Sequence, residues 1–237
     1  MLCRIADLTV EIPAAGGLSS RCSGYRCEET NQADFAIREE LYDAERYLPA
    51  KLSGDELAYM ESAYQFCFEL LRHDGMYLHA SAVALDGYGY LFSGHCGAGK
   101  STHTQLWKKT FGEAAVVFND DKPALRRMNG RWIAYGTPWC GKSGINANMS
   151  VPLAGICFIE QAKENRIRRL TPSESVARLL SQTIRRRLNA EEMDRMLETF
   201  GKLIEEIPVF VLECNVEKEA ALLSHETMRR AAKEASL

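Results

Sequence analysis

Hydrophobic residues recur at helical spacing after Ser53, which forms a capping box with Glu56 three positions later. One face of this predicted helix carries the apolar residues Leu57, Met60, Tyr64, Cys67, Phe68 and Leu71. Two further capping boxes, Thr171 with Glu174 and Asn189 with Glu192, predict helices in the last third of the chain. A short strand at residues 209–214 and a final amphipathic helix follow them.

Two hairpins separate these helical regions. Residues 77–85 and 88–93 are strand-like and flank Asp86-Gly87, whereas residues 123–128 and 131–135 flank Asn129-Gly130. A helix beginning near Lys100 and an apolar strand at residues 115–118 lie between the hairpins, and a buried strand is predicted at residues 153–160. Because strands and helices do not alternate strictly, we predict an α/β fold of the α+β type, a mixed sheet with flanking helices.

The first 50 residues carry weaker signals. Alternating apolar positions from Leu2 to Ile12 precede a polar stretch rich in glycine and serine, which predicts a strand or two and a loop. We therefore predict one domain over residues 1–237. Within it, residues 1–50 are an appendage, residues 53–160 the core and residues 171–237 a helical C-terminal part.

A glycine-rich motif lies between the first hairpin and the next helix. Residues 94–101 read Gly-His-Cys-Gly-Ala-Gly-Lys-Ser and match the phosphate-binding pattern G-x-x-x-x-G-K-[ST], with a strand before it and a helix after it. Glycines allow successive backbone N–H groups to point at phosphate oxygens, and the helix N-terminus adds its positive dipole. The predicted nucleotide-binding residues are Gly94, His95, Cys96, Gly97, Ala98, Gly99, Lys100, Ser101 and Thr102.

Two acids follow the strand at residues 115–118. In phosphate-loop proteins a carboxylate at the end of a neighbouring strand holds the metal together with the loop hydroxyl. We assign Ser101 and Asp120 as ligands of Mg²⁺. Asp121 is assigned as the base that takes a proton from an attacking hydroxyl, although the two acids could exchange these roles. A solvated turn is the alternative interpretation of this acid pair.

The hairpin turns predict which residues lie opposite each other. A two-residue turn at Asp86-Gly87 places His79 opposite Gly94, beside the phosphate motif. The turn at Asn129-Gly130 places Asp120 and Asp121 opposite Trp139 and Pro138, so that residues 136–146 return toward the acids. His79 is therefore a catalytic candidate with Asp121 and Lys100, and a histidine with only a structural hydrogen bond is the alternative.

The returning loop supplies three substrate candidates, Thr137, Lys142 and Asn146. Lys142 is flanked by glycines, and a lysine that is merely solvated is an equally good interpretation. The run at residues 185–187 consists of three arginines. It is expected to complement a helix dipole, with an arginine clamp across an oligomer interface as the alternative.

Composition narrows the class of protein. The net charge is −3 for 237 residues, which gives no indication of a nucleic-acid or membrane partner. The N-terminus lacks the pattern of a signal peptide, and no apolar run has the length of a membrane span. Eight cysteines without paired metal-ligand spacing are typical of reduced thiols, so a cytoplasmic location is expected.

Residues 78–138 resemble the kinase domain of HPr kinase/phosphorylase, which is related to phosphoenolpyruvate carboxykinases. The similarity lies in Leu-His-Ala-Ser at residues 78–81, the hairpin into the phosphate motif and the acid pair. Residues 136–146 and 152–156 look like those of smaller HPr-kinase-like proteins in bacterial gene clusters, some of which modify peptides. The acidic, glycine-rich segment of true HPr kinases is absent, which argues against HPr as substrate and against phosphorolysis.

The resemblance implies a carboxykinase-like P-loop core that uses Mg²⁺ and ATP or GTP to phosphorylate a hydroxyl. The acceptor is a serine or threonine of a protein or peptide, or a small molecule, and a homo-oligomer is possible. Two alternatives remain: a nucleotide-binding regulatory protein without turnover, and a carboxykinase-like enzyme that acts on a metabolite.

Overall fold

A computed structural model describes residues 1–14, 16–28, 32–183 and 188–235, so the arginine run at residues 185–187 lies outside the described residues. The helices are α1 (Gly16–Arg21), α2 (Gly54–Arg72), α3 (Lys100–Phe111), α4 (Pro172–Ser181), α5 (Ala190–Glu206) and α6 (Lys218–Ala235). The strands are β1 (Leu2–Ile5), β2 (Leu8–Glu11), β3 (Phe35–Ala36), β4 (Gly75–Tyr77), β5 (Ala80–Leu85), β6 (Tyr88–Ser93), β7 (Val116–Asn119), β8 (Ala124–Met128), β9 (Arg131–Tyr135), β10 (Ser150–Gln161), β11 (Arg166–Arg169) and β12 (Val209–Cys214).

The long strand β10 joins the two parts of a curled mixed sheet. Its first residues pair antiparallel with β9, whereas its remainder lies parallel to β6 on one side and to β12 on the other. β4 and β8 extend the first part beyond β9, and β5 and β7 extend the second part beyond β6. The predicted α/β class with a mixed sheet is therefore confirmed.

Both predicted hairpin registers are confirmed. Leu85 lies opposite Tyr88 in the first hairpin, and Met128 lies opposite Arg131 in the second. The three capping boxes, at Ser53, Thr171 and Asn189, are also formed. These features are local in sequence, which explains why the pattern of turn and cap residues predicts them.

The predicted single strand at residues 77–85 is wrong in one respect, because it is broken at Leu78 and His79. The chain pairs with β8 before the break and with β6 and β7 after it. At the break, the backbone N–H of His79 donates to Gln182 O at 2.8 Å. The break thus exchanges ladder partners without leaving this N–H group unpaired.

Helices cover both faces of the sheet because side chains alternate along β10. Ile156 and Phe158 pack in the cluster that contains Leu179 of α4 and Phe200 of α5. On the other face, Ile159 joins a second cluster with α3 and α6. The near-continuous burial of β10 follows from this two-sided packing.

The N-terminal segment forms a small sheet, β1–β2–β3, that packs on α2. Its contacts with the rest of the chain are polar as well as apolar. Arg126 donates to Ala6 O at 2.7 Å, and the Tyr135 hydroxyl donates to Asp7 at 2.6 Å. The segment therefore contributes part of the surroundings of the second hairpin.

No helix within the described ranges combines the length and apolar character required to cross a bilayer.

His103 of α3 makes the stability of the fold sensitive to acid. Its ring is buried between α3 and α6, where Nε2 accepts a hydrogen bond from Trp107 Nε1 at 3.2 Å and lies 3.1 Å from Ser224 Oγ. Burial lowers the pKa of His103 from 6.5 to about 4. Between these two pH values the unfolded chain binds a proton that the folded chain does not, so the free energy of unfolding falls as the pH falls.

We expect urea unfolding of the wild type to lose on the order of 2 to 3 kcal/mol from this histidine between pH 7.5 and 4.5. His103→Gln removes the titrating group, and its stability should depend less on pH by that amount. Equal pH slopes for the two proteins would contradict the assignment.

Candidate functional site

The loop at residues 94–101 connects β6 to α3 and turns through glycines with positive φ. Gly94 has φ +145° and Gly99, which caps α3, has φ +104°. A Cβ at Gly94 would lie 3.1 Å from Ala98 Cβ and 3.2 Å from Ile159 O. The loop is therefore folded tightly over the end of the sheet, with the N-terminus of a 12-residue helix behind it.

Lys100 lies over this loop and faces the acids. Its Nζ donates to Gly94 O at 3.0 Å and to His95 O at 3.2 Å. Burial lowers the pKa of Lys100, whereas the neighbouring Cys96, Asp121 and Asp120 act to raise it. The ammonium is thus held by two neutral carbonyl groups, within electrostatic range of both carboxylates.

The two acids after β7 have different surroundings. Oδ1 of Asp120 is buried and has no hydrogen-bond partner among the described residues. Asp121 Oδ2 accepts from the Tyr59 hydroxyl at 3.2 Å and pairs with the ammonium of Lys122. A buried carboxylate oxygen without a partner is costly, so Asp120 is suited to a cation, whereas one oxygen of Asp121 is already occupied.

Asn119 shapes the turn that carries the acids. Its side-chain oxygen accepts from the backbone N–H groups of Asp121, at 3.1 Å, and Lys122, at 2.8 Å. Its amide nitrogen donates to Thr137 O at 2.9 Å. Asn119 is a residue that the sequence analysis missed, although an asparagine followed by two acids is a signal for such a turn.

His79 lies between Asp121 and the end of α4. Its Nε2 is 3.4 Å from Asp121 Oδ1, and its Nδ1 is 3.3 Å from Gln182 Oε1. Burial and the charge of Lys100 lower the pKa of His79, although Asp121 acts in the opposite direction. The imidazole is therefore neutral at pH 7 and carries one N–H, which it donates to only one of its two partners.

The described residues contain no group of three or more His, Cys, Asp or Glu side chains arranged to hold a metal ion. Mg²⁺ in nucleotide sites needs fewer protein ligands, because phosphate oxygens and water fill most of its octahedral positions. The unpartnered Asp120 Oδ1 and the exposed Ser101 on the first turn of α3 fit this limited role.

The loop at residues 136–146 returns toward the acids as predicted. The pairing of its residues with the acid-bearing turn, however, differs from the predicted register. Gly141, not Pro138, lies against Asp121, since a Cβ at Gly141 would be 3.1 Å from Asp121 Cβ. Trp139 O accepts from the Lys122 N–H at 3.2 Å. The turn made by Asn119 shifts the pairing beyond the regular ladder.

The three substrate candidates lie in different surroundings, although the backbone of Asn146 pairs with that of Asn119, next to Asp120. Thr137 is fully buried and its hydroxyl donates to Lys122 O at 2.7 Å. Lys142 is exposed, and its charge adds to the hydrogen bonds from Ser53 that lower the pKa of Glu56 at the start of α2. Asn146 donates to Arg21 O at 3.4 Å and lines a separate cavity of about 330 Å³.

Contacts from distant parts of the chain complete the site. Tyr59 of α2 connects two loops, because its hydroxyl accepts from the Gly141 N–H at 2.8 Å and donates to Asp121. The guanidinium of Arg21 lies 4.8 Å from the centre of the Tyr59 ring and donates to Gly141 O at 2.9 Å. The sequence pattern places Tyr59 on α2 but gives no signal for these contacts.

We expect Tyr59→Phe to lower the free energy of unfolding by about 1 to 3 kcal/mol, because the variant loses two hydrogen bonds of a largely buried hydroxyl. Urea unfolding measures the loss. Tyr88→Phe at the surface is the matched control and should stay within about 0.5 kcal/mol of the wild type. An unchanged stability of Tyr59→Phe would show that the hydroxyl does not join the two loops.

Comparisons with known proteins show to which family the chain belongs. A family model described as SynChlorMet cassette protein ScmC matches residues 53–219, a range that includes His79, the glycine-rich loop and both acids. No curated protein matches the chain. The solved structure of the Hpr(Ser) kinase/phosphatase from Coxiella burnetii is similar at 12% identity and a TM-score of 0.38, over 68% of this chain and 93% of that one. Since the family match covers well over half of its length, the chain belongs to the SynChlorMet cassette protein ScmC family.

Proposed function

We propose that this protein is a phosphotransferase that uses a nucleoside triphosphate, ATP or GTP, with Mg²⁺ to phosphorylate a hydroxyl group. The observation that carries the proposal is the arrangement around Lys100. The ammonium donates to Gly94 O at 3.0 Å on the glycine-rich loop, and although burial lowers the pKa of Lys100, the nearby carboxylates of Asp121 and Asp120 act to raise it. A cation over such a loop, with carboxylates opposite, is the arrangement that phosphoryl transfer requires.

The triphosphate would lie along residues 94–102. Backbone N–H groups of the loop and the N-terminus of α3 attract its oxygens, and Lys100 exchanges its two carbonyl partners for the β- and γ-phosphates. A cavity of about 170 Å³ borders Thr102 and Leu106 on α3 and gives room for part of the nucleoside. The exposed His95, Cys96 and Gly97 form the outer rim of the loop.

Asp120 and Ser101 would hold the metal. When bound, Mg²⁺ neutralises charge on the β- and γ-phosphate oxygens. On the protein side, Oδ1 of Asp120 gains the partner that it otherwise lacks.

Asp121 would take the proton of the acceptor. The acceptor oxygen forms a bond to the γ-phosphorus, the bond from that phosphorus to the β-bridging oxygen breaks, and the nucleoside diphosphate leaves with that electron pair. The hydroxyl proton passes to Asp121 Oδ1, because Oδ2 is held by Tyr59 and Lys122. His79 orients Oδ1 from 3.4 Å, so it acts as a positioning residue in this scheme.

A nucleotide-binding regulatory protein is the second candidate. The ion pair between Asp121 and Lys122 favours it, since a carboxylate held by a lysine is less available to an acceptor hydroxyl. The two candidates differ in what a change at Asp121 does, because a regulator that does not turn over has no need of a base.

We expect Asp121→Asn to bind Mg²⁺-nucleotide within about threefold of the wild type but to lose 10²- to 10⁴-fold in phosphoryl transfer, since a general base contributes about that factor. Transfer to water, measured as release of labelled phosphate from ATP or GTP, needs no knowledge of the acceptor. Asp120→Asn should instead raise the Mg²⁺ concentration needed for half-maximal rate.

Equal hydrolysis rates in wild type and Asp121→Asn would remove Asp121 from the base role. Nucleotide binding without any turnover in the wild type, with or without added hydroxyl compounds, would favour the regulatory protein.

A further inference from the structure

A cavity of about 810 Å³ lies beside the candidate site, on the side of His79. Cys96 of the glycine-rich loop, His79 and Lys122 are among its lining residues, so the cavity borders the candidate site. Its volume is within the range of small-molecule sites and much larger than a single serine or threonine side chain requires.

The walls of the cavity are mainly apolar and aromatic. Helix α2 contributes Met60, Ala63 and Cys67, and the rings of Tyr47 and Tyr77 add aromatic surface. Aromatic and thioether side chains favour contact with an aromatic or aliphatic body. These walls suit a ligand that buries apolar surface, and Ser181, Gln182 and Thr183 add polar groups to the lining.

The cations at the cavity already have partners. Arg46 pairs with the buried Glu61 and with Asp43, and Lys122 pairs with Asp121. Within the described residues, these are the lysine and arginine side chains that line it. Among the residues that the structure describes at the cavity, an anionic acceptor would therefore lose its hydration without gaining an unpaired lysine or arginine, and such a loss is expensive.

Glu61 fixes the outer wall. Its carboxylate accepts from the Asp43 N–H at 3.1 Å, from the Tyr47 hydroxyl at 2.7 Å and from Arg46. These bonds tie residues 43–47, which belong to the N-terminal segment, onto helix α2. The wall is therefore held in place by one buried carboxylate, and the cavity is formed before any ligand enters.

We propose that this cavity binds the phosphoryl acceptor and that the acceptor is an uncharged hydroxyl compound with an apolar body of the size of an aromatic amino-acid residue. The assignment rests on the proposed function, since it places the acceptor next to Asp121 and His79. It goes beyond that function by excluding charged metabolites and by moving the acceptor away from Thr137, Lys142 and Asn146.

Ligand binding to the methionine methyl groups tests the assignment. Protein labelled with ¹³C at the methionine methyls is titrated, with Mg²⁺-ATP present, with N-acetyl-L-tyrosinamide, with the peptide Ala-Ala-Tyr-Ala-Ala capped at both ends, and with glycerol 3-phosphate. Met60→Leu identifies the Met60 signal. Met60→Trp fills the cavity, and Leu197→Trp, at an exposed position of α5, is the matched control.

We expect the tyrosine amide to shift the Met60 signal, with an affinity that falls at least tenfold in Met60→Trp and is unchanged in Leu197→Trp. Glycerol 3-phosphate should leave the signal in place. If the peptide binds at least tenfold more tightly than the amide, the acceptor is a side chain of a peptide, whereas a peptide that does not bind identifies a free small molecule.

The proposal is overturned if no aromatic probe shifts Met60 or if glycerol 3-phosphate alone does so. Equal affinities for wild type and Met60→Trp would overturn it as well. The wild-type Met60 shift decides the matter even if Met60→Trp does not fold. If the wild type does not bind Mg²⁺-ATP, that separate result counts against the proposed function itself.

Discussion

The hydrogen bond from the Ala80 N–H to Asp121 O, 3.1 Å long, joins two breaks in the sheet. One break lies between β4 and β5, and the other lies between β7 and β8. These hydrogen bonds keep the two backbones in one antiparallel register across both breaks, with His79 on one segment and Asp120 and Asp121 on the other. The Leu78 N–H continues the pairing to Pro123 O at 3.4 Å. The candidate site depends on this pairing of residues 78–80 with residues 121–123.

Charge balance is the second constraint on the site. The positive charges of Lys100 and Lys122 balance the negative charges of Asp120 and Asp121. The partly buried cluster is therefore formally neutral as long as His79 is uncharged. The pairing is nevertheless uneven, because Lys122 occupies Asp121 whereas Asp120 Oδ1 has no partner. A cation at Asp120 together with a polyanion on Lys100 would complete the balance. This complementarity explains why burial of Lys100 is tolerated at the edge of the loop.

The sequence predicts the parts of the site that depend on local patterns. Turn residues give both hairpin registers, and the spacing of glycine, lysine and serine gives the loop before α3. The roles of Tyr59 and Gln182 could not be predicted, since they lie 62 residues before Asp121 and 103 residues after His79, and only the packing of α2 and α4 brings them close. The strand break at Leu78 and the contact of Gly141 with Asp121 also escape prediction, because both involve segments that are distant in the sequence and not a local residue preference.

The proposed function requires the glycine-rich loop to bind a nucleoside triphosphate, and a thermal shift with Mg²⁺-ATP or Mg²⁺-GTP tests this binding most directly. Ligand at about 100 times its dissociation constant should stabilise the wild type by about 2.7 kcal/mol, a rise of roughly 5 to 10 °C in Tm for a chain of this size. Lys100→Ala should show no such rise. A wild-type Tm that neither nucleotide changes would contradict the account.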